Sequence, residues 1–207
     1  MNPALIKLIT SGIFLGTIAG ISPGPLLTLV ISESLLNGRK AGIRMALVPA
    51  ITDLPIVLVS VFILSRLSAY QTILGIISMA GSVFLLYLAY GSLFFKGRGS
   101  LKTVSPKRTF AKGILANFLS PHPYLFWMLI GGSILMESRS AGWYAPALFL
   151  FLFYLCLIGS KIIIAWLSSR FADILHARWY LYTIRFLGFL LLLFAVYFFI
   201  EGVNYIF

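Results

Sequence analysis

Apolar positions in this chain gather in long runs rather than alternating with polar ones. Six runs stand out: residues 5–36, 43–64, 72–95, 113–136, 143–167 and 180–207. Each is long enough to supply the ~20 apolar residues that carry a helix across a bilayer. None has the ~10-residue alternating pattern of a barrel strand, and a helix satisfies its own backbone groups in lipid. The expected fold is an all-α integral membrane protein with six transmembrane helices. The longest polar break, 96–112, divides the chain nearly in half. It predicts a single transmembrane domain over 1–207, made of one repeat over about 1–95, a basic loop over 96–112 and a second repeat over about 113–207. Three helices per unit turn the second unit over relative to the first, so the halves are expected to be inverted repeats.

Composition supports the membrane reading. Apolar residues make up 60% of the chain and charged residues 10%, and the mean hydropathy is +1.02. A soluble domain is nearer half apolar and a quarter charged. The net charge is +11. In a soluble protein that would point to nucleic acid. Here the basic residues collect in the breaks between runs, where they act as orientation signals. Arg39, Lys40, Arg44, Lys96, Arg98, Lys102, Lys107, Arg108, Lys112, Arg170, Arg178 and Arg185 fall with the odd-numbered breaks, against Lys7, Arg66 and Arg139 on the other side. The odd-numbered loops are therefore expected in the cytoplasm and both termini outside. The first run is read as a span, being longer than the apolar core of a signal peptide. The lone Cys156 permits neither an intrachain disulfide nor a CxxC pair.

Two prolines interrupt the first run and two the fourth. Ser22-Pro23-Gly24-Pro25 and Ser120-Pro121-His122-Pro123 share the pattern S-P-x-P, 98 residues apart, at matching places in the two halves. Proline lacks an N–H and clashes with the preceding turn, so each pair is expected to break its helix. Proline also suits the first turn of the half-helix that follows. Such a half-helix opens with free N–H groups and a positive dipole end, which favours an anion such as a carboxylate. Paired broken helices in inverted repeats are the pattern of a secondary transporter.

Gly20-Ile21-Ser22-Pro23-Gly24-Pro25, followed by Asn37-Gly38-Arg39-Lys40-Ala41-Gly42, resembles the signature of the LysE/RhtB family of amino-acid exporters. The resemblance implies six helices in a bacterial inner membrane and export driven by an ion gradient. Ser120-Pro121-His122-Pro123-Tyr124-Leu125-Phe126 is similar to the Asn-Pro-His-x-Tyr-Leu-Asp pattern of the branch that exports arginine and lysine. Ser120 stands where that branch has Asn, and Phe126 where it has Asp. The missing acid speaks against cationic substrates. His122 does not match the Lys of the neutral amino-acid branch.

Ionisable groups inside spans are costly and mark functional sites. Asp53 lies nine residues after Arg44 and Lys161 nine before Arg170, each roughly 13 Å from the edge of its span. The two are expected to meet, or to line one cavity, beside the broken helices. Asp53 is a candidate for carrying a proton or binding an ammonium group, and Lys161 for attracting a carboxylate or holding Asp53 ionised. Structural ion pairing is the plainer reading of both. Glu33, with Arg39 or Lys40 as partner, reads as a surface pair or a gate contact. His122 reads as a structural hydrogen-bonding group or a proton or substrate contact. Asn117 reads as a cap for carbonyls freed by the break or as a substrate contact. The expected pathway is thus Ser22, Pro23, Gly24, Pro25, Asp53, Asn117, Ser120, Pro121, His122, Pro123 and Lys161.

The leading reading is proton-driven export of amino acids or similar small zwitterions. No Walker A sequence is present for ATP drive, nor an HExxH motif for an intramembrane enzyme. Transport of another solute, such as a metal ion or anion, and an assembly subunit are the competing readings. No cofactor, metal or catalytic residue is expected. The expected partners are an amino-acid-like solute, protons or another coupling ion, and the lipid bilayer. Nucleic acid is not among them, and a homo-oligomer is compatible with the chain.

Overall fold

The computed structural model describes residues 3–64, 70–94, 106–174 and 177–206. Regular structure among these residues is helical throughout. The first half contains α1 (Pro3–Ile21), α2 (Pro25–Asn37), α3 (Arg39–Ala46), α4 (Pro49–Leu64) and α5 (Tyr70–Leu93). The second contains α6 (Pro106–Phe118), α7 (Pro121–Phe126), a π-helical turn (Trp127–Gly131), α8 (Gly132–Ser138), a 3-10 turn (Arg139–Ala141), α9 (Ala145–Ile174) and α10 (Ala177–Ile206).

Five stretches are long and apolar enough to cross a membrane: Ala4–Ile21, Arg39–Ser60, Thr72–Leu93, Ala145–Phe171 and Leu181–Ile206. Large apolar side chains such as Phe14, Val83 and Phe151 stand exposed on them. A surface of this kind suits lipid rather than water. The fourth expected span is not among the five, because 106–138 is divided into α6, α7, the π turn and α8. The basic break is also shorter than expected, since α6 already begins at Pro106. Lys96, Arg98, Lys102 and Arg66 lie outside the described residues.

Both S-P-x-P motifs break the backbone as proline chemistry requires. The Ser22 N–H makes a 2.8 Å bond to the Ile18 carbonyl, and the α1 ladder stops there. Pro23 has no N–H to offer Ala19. Gly24 is extended, and Pro25 takes the first turn of α2. In the second motif Ser120, the residue before a proline, is likewise extended, and Pro121 opens α7.

Small residues set the helix packing. Gly12, Gly16 and Gly20 lie one turn apart on α1 and face Phe149, Phe153 and Leu157 with Ser160 in turn. The numbers rise together, so α1 and α9 run parallel. On α5 and α10, Gly75 meets Gly202 and Ile206, while Ser92 meets Gly188, so this pair is antiparallel. Lipid supplies little hydrophobic drive between helices, and close backbone approach at small residues takes its place. The turn from α2 to α3 uses two glycines differently. Gly38 has φ +81°, a conformation that favours glycine. A Cβ on Gly42 would overlap the Ser34 hydroxyl.

Candidate functional site: a cavity between the two helix breaks

The two breaks face one cavity of about 370 Å³, within the ~300–1,000 Å³ range of small-ligand sites. Ser22, Pro23, Gly24 and Pro25 border it from the first motif, and Ser120, His122 and Pro123 from the second. Asp53, Asn117 and Lys161 complete its polar lining. Ten of the eleven residues expected on the pathway therefore meet at one place. Pro121 is the exception; it is buried in the first turn of α7 and does not border the cavity.

Lys161 repairs the first break. Its ammonium donates to the carbonyls of Gly20 (3.0 Å) and Ala19 (3.3 Å). The helical donor for Ala19 would have been residue 23, a proline. The donor for Gly20 would have been residue 24, which has left the helix. The positive charge also sits at the negative end of the α1 dipole, where cations are favoured. At the other end of the break, α2 opens with no side-chain cap at Gly24. Pro25 has no N–H, and the Thr28 N–H bonds the Gly24 carbonyl. Leu26 and Leu27 both border the cavity at this uncapped terminus.

Asp53 and Asn117 are joined across the halves. The Asn117 amide donates to Asp53 Oδ1 (2.7 Å) and to the Thr52 hydroxyl (2.6 Å), and all three residues are buried. Asn117 therefore does not use its side chain to cap the freed carbonyls. The Tyr124 hydroxyl does so at Phe118 (3.0 Å). Asp53 and Lys161 share the cavity, but among the described residues no ion pair within 4 Å joins them.

The rest of the wall is apolar. Leu15 and Ile18 lie along α1 before Ser22, Phe126 and Ile130 after the second motif, and Phe153 and Leu157 two turns and one turn before Lys161 on α9. All six extend from the breaks toward the end marked by the 3.1 Å Lys7–Glu137 ion pair. Phe126 stacks on Phe153 and meets Trp127 edge-on. The Tyr154 hydroxyl is buried near Asp53 without a well-formed hydrogen bond among the described residues.

Glu33 and Arg39 lie apart from the cavity. Glu33 is buried and pairs with Lys112 of α6 at 3.6 Å, and Asn37 donates to its other oxygen at 2.5 Å. The expected partners Arg39 and Lys40 are exposed at the start of α3. Helix α2 turns Glu33 inward onto α6, while Gly38 redirects the chain and leaves Arg39 outside. Sequence reasoning missed Thr52, Tyr154, the aromatic wall, and Glu201 with Tyr197 on α10. Glu201 carried a visible signal as an acid inside the sixth apolar run.

These features define a class first: a multi-pass helical membrane protein with a solute-sized cavity at two broken segments. Residues 17–202 match the LysE type translocator family, and the chain belongs to it. That family is a transport family. The chain is also similar to the uncharacterized membrane protein YahN of Escherichia coli strain K12, with 25% identity over 150 residues. The match covers 69% of this chain and 66% of that protein, just under two thirds of its length. No solved structure matches the chain.

Proposed function

We propose that the protein is a secondary active transporter that exports amino acids or similar small zwitterions across the inner membrane, driven by the proton gradient. The observation that carries this reading is the convergence of both helix breaks, Asp53 and Lys161 on one cavity. A zwitterion has two charged ends, and the cavity offers a partner for each. A carboxylate suits the uncapped N-terminus of α2 and the Lys161 ammonium, which keeps a third proton beyond the two carbonyls it holds. An ammonium group suits Asp53, whose hydrogen bonds from Asn117 and Thr52 both fall on Oδ1.

Six crossings in two inverted repeats belong to the same proposal. Parallel packing of α1 on α9 supports a full crossing by 106–138, because only an even number of reversals lets the two helices run the same way. The contacts between runs also support a two-fold axis in the membrane plane. The first run packs on the fifth, the fourth on the second, and the third on the sixth. Asp53 and Lys161 then hold corresponding places beside the two breaks. The distribution of basic residues supports cytoplasmic odd-numbered loops and outward termini.

Uptake of labelled amino acids into inside-out vesicles, with and without a proton gradient, tests the reading. Gradient-dependent accumulation is expected in the wild type, and Asp53→Asn should abolish it. Failure of every amino acid to move would overturn the assignment.

A further inference from the structure

Glu201 lies inside the α10 span, five residues before its end at Ile206. Its Oε1 accepts a 2.7 Å hydrogen bond from the Tyr197 hydroxyl one turn earlier. Its Oε2 is buried and has no hydrogen-bond partner among the described residues. A bare carboxylate oxygen shielded from water is costly unless a proton or a cation occupies it. The neighbouring group is His122. Its ring stacks on Tyr197 at 5.9 Å with 12° between planes, and it meets the Phe198 ring edge-on at 5.6 Å. His122 also lines the cavity. The array therefore runs from the cavity, through His122, to Glu201 and Tyr197 on α10.

We propose that Glu201, with His122 and Tyr197, is the binding site of the coupling proton, separate from Asp53. The proposal rests on the reading of the protein as a proton-driven amino-acid exporter and adds where the proton is carried. A proton fits better than a metal ion, because two neighbouring oxygen groups fall short of the ~6 ligands that hard cations take. Glu201 takes the proton on Oε2 and gives it up again from the same atom. The Tyr197 hydroxyl keeps its own proton and holds Oε1 still. His122 links this site to the cavity, so that solute in the cavity and a proton on Glu201 influence one another. The titratable groups facing Glu201 are His122 from α7 and Tyr197 and Tyr205 on its own helix. Helix α5 meets this stretch through Gly75 and Met79, which carry no charge.

The test uses the full-length protein in proteoliposomes and two readouts. One is accumulation of labelled amino acid under an imposed proton gradient, with proton movement followed by an internal pH-sensitive dye. The other is counterflow of the same amino acid without a gradient. Glu201→Gln is expected to lose at least tenfold in accumulation and its substrate-linked proton movement, with counterflow still measurable. Asp53→Asn is expected to lose both accumulation and counterflow. Glu201→Asp should recover part of the accumulation, which guards against a folding defect in Glu201→Gln. Wild-type accumulation and proton movement in Glu201→Gln would overturn the proposal and leave the transport reading intact. Failure of Glu201→Asp to recover any accumulation, where Glu201→Gln has lost both activities, would also overturn it. Absence of amino-acid movement in the wild type would overturn the transport reading, and this proposal with it.

Discussion

Asn117 donates one 2.7 Å hydrogen bond to Asp53 Oδ1, and this bond ties the segment just before the second helix break to α4. The same amide reaches the Thr52 hydroxyl at 2.6 Å. Thr52 donates its own hydroxyl hydrogen bond to the Val48 carbonyl at 3.0 Å, so Asn117 serves as the donor to its oxygen. Leucine at 117 keeps the volume but removes both donors. A buried polar group left without its partner costs about 1–3 kcal/mol. Asn117→Leu should therefore lower the thermal unfolding midpoint in detergent. It should also depress transport, because Asp53 loses the bond that fixes its orientation toward the cavity. A midpoint equal to that of the wild type would mean that the amide does not hold Asp53 in place.

Lys161 is expected to act first as a cap for the broken end of α1. Lys161→Met removes the donor to Ala19 and Gly20 and leaves two carbonyls without it. The loss should again be about 1–3 kcal/mol, since the orphaned groups are carbonyls. Lys161→Arg keeps a cation at the helix C-terminus and should recover most of the stability. Transport separates the two roles. If the ammonium also meets the substrate carboxylate, Lys161→Arg should regain thermal stability while transport of the same amino acid stays impaired. Arginine that rescued both equally would assign Lys161 to capping alone.

The breaks, the shared cavity and the partnership of the halves could be read from the chain because proline acts locally. Two prolines within three residues stop a helix whatever surrounds them, and a bilayer requires that the resulting site be enclosed. Residue count along each helix likewise pointed Asp53 and Lys161 toward one cavity, and both border it. Partner choice did not follow. Glu33 has Arg39 and Lys40 nearby in sequence, yet it turns to Lys112, because Gly38 at φ +81° sends the chain away and α6 packs on the inner face of α2. The division of 106–138 was only half visible. The prolines announced the break after Phe118, but the π turn at Trp127 coincides with tertiary packing of the indole against Phe153 and Tyr154, which no local pattern announces. Glu201 was in plain view as an acid in an apolar run. Its significance depends on His122 lying across from it, which no local pattern encodes.

Glycine packing between α1 and α9 gives a sharp contrast within one pair of helices. A Cβ at Gly16 would overlap the Phe153 carbonyl oxygen, which is backbone and cannot swing away. Gly16→Val should wedge the helices apart at a cost of about 1–3 kcal/mol for overpacking. Gly159 lies on α9, in the same pair, but nothing among the described residues lies within 4 Å of a Cβ built there. Gly159→Ala should be neutral or raise stability by up to about 1 kcal/mol through helix propensity. Thermal unfolding of the two variants side by side in detergent checks both. Equal destabilisation would show that α1 and α9 do not pack as described.

Glu33 and Lys112 bind α2 to α6, the helices that adjoin the two breaks, and their exposures are unequal. The Glu33 side chain is 5% exposed and that of Lys112 is 30% exposed. The consequence is an asymmetry between single substitutions. Lys112→Met strands a buried carboxylate with only the Asn37 amide, and breaking a buried pair in this way costs up to about 3–5 kcal/mol. Glu33→Gln removes the buried charge instead and keeps an acceptor for Asn37, while Lys112 retains its partial contact with solvent. Lys112→Met should therefore lower the unfolding midpoint more than Glu33→Gln does. The double variant should be more stable than Lys112→Met alone, because the stranded charge is gone. A double-mutant cycle measures this directly, since residues in contact depart from additivity by about 0.5–3 kcal/mol. Additive effects of the two substitutions would show that the pair does not join α2 to α6 energetically.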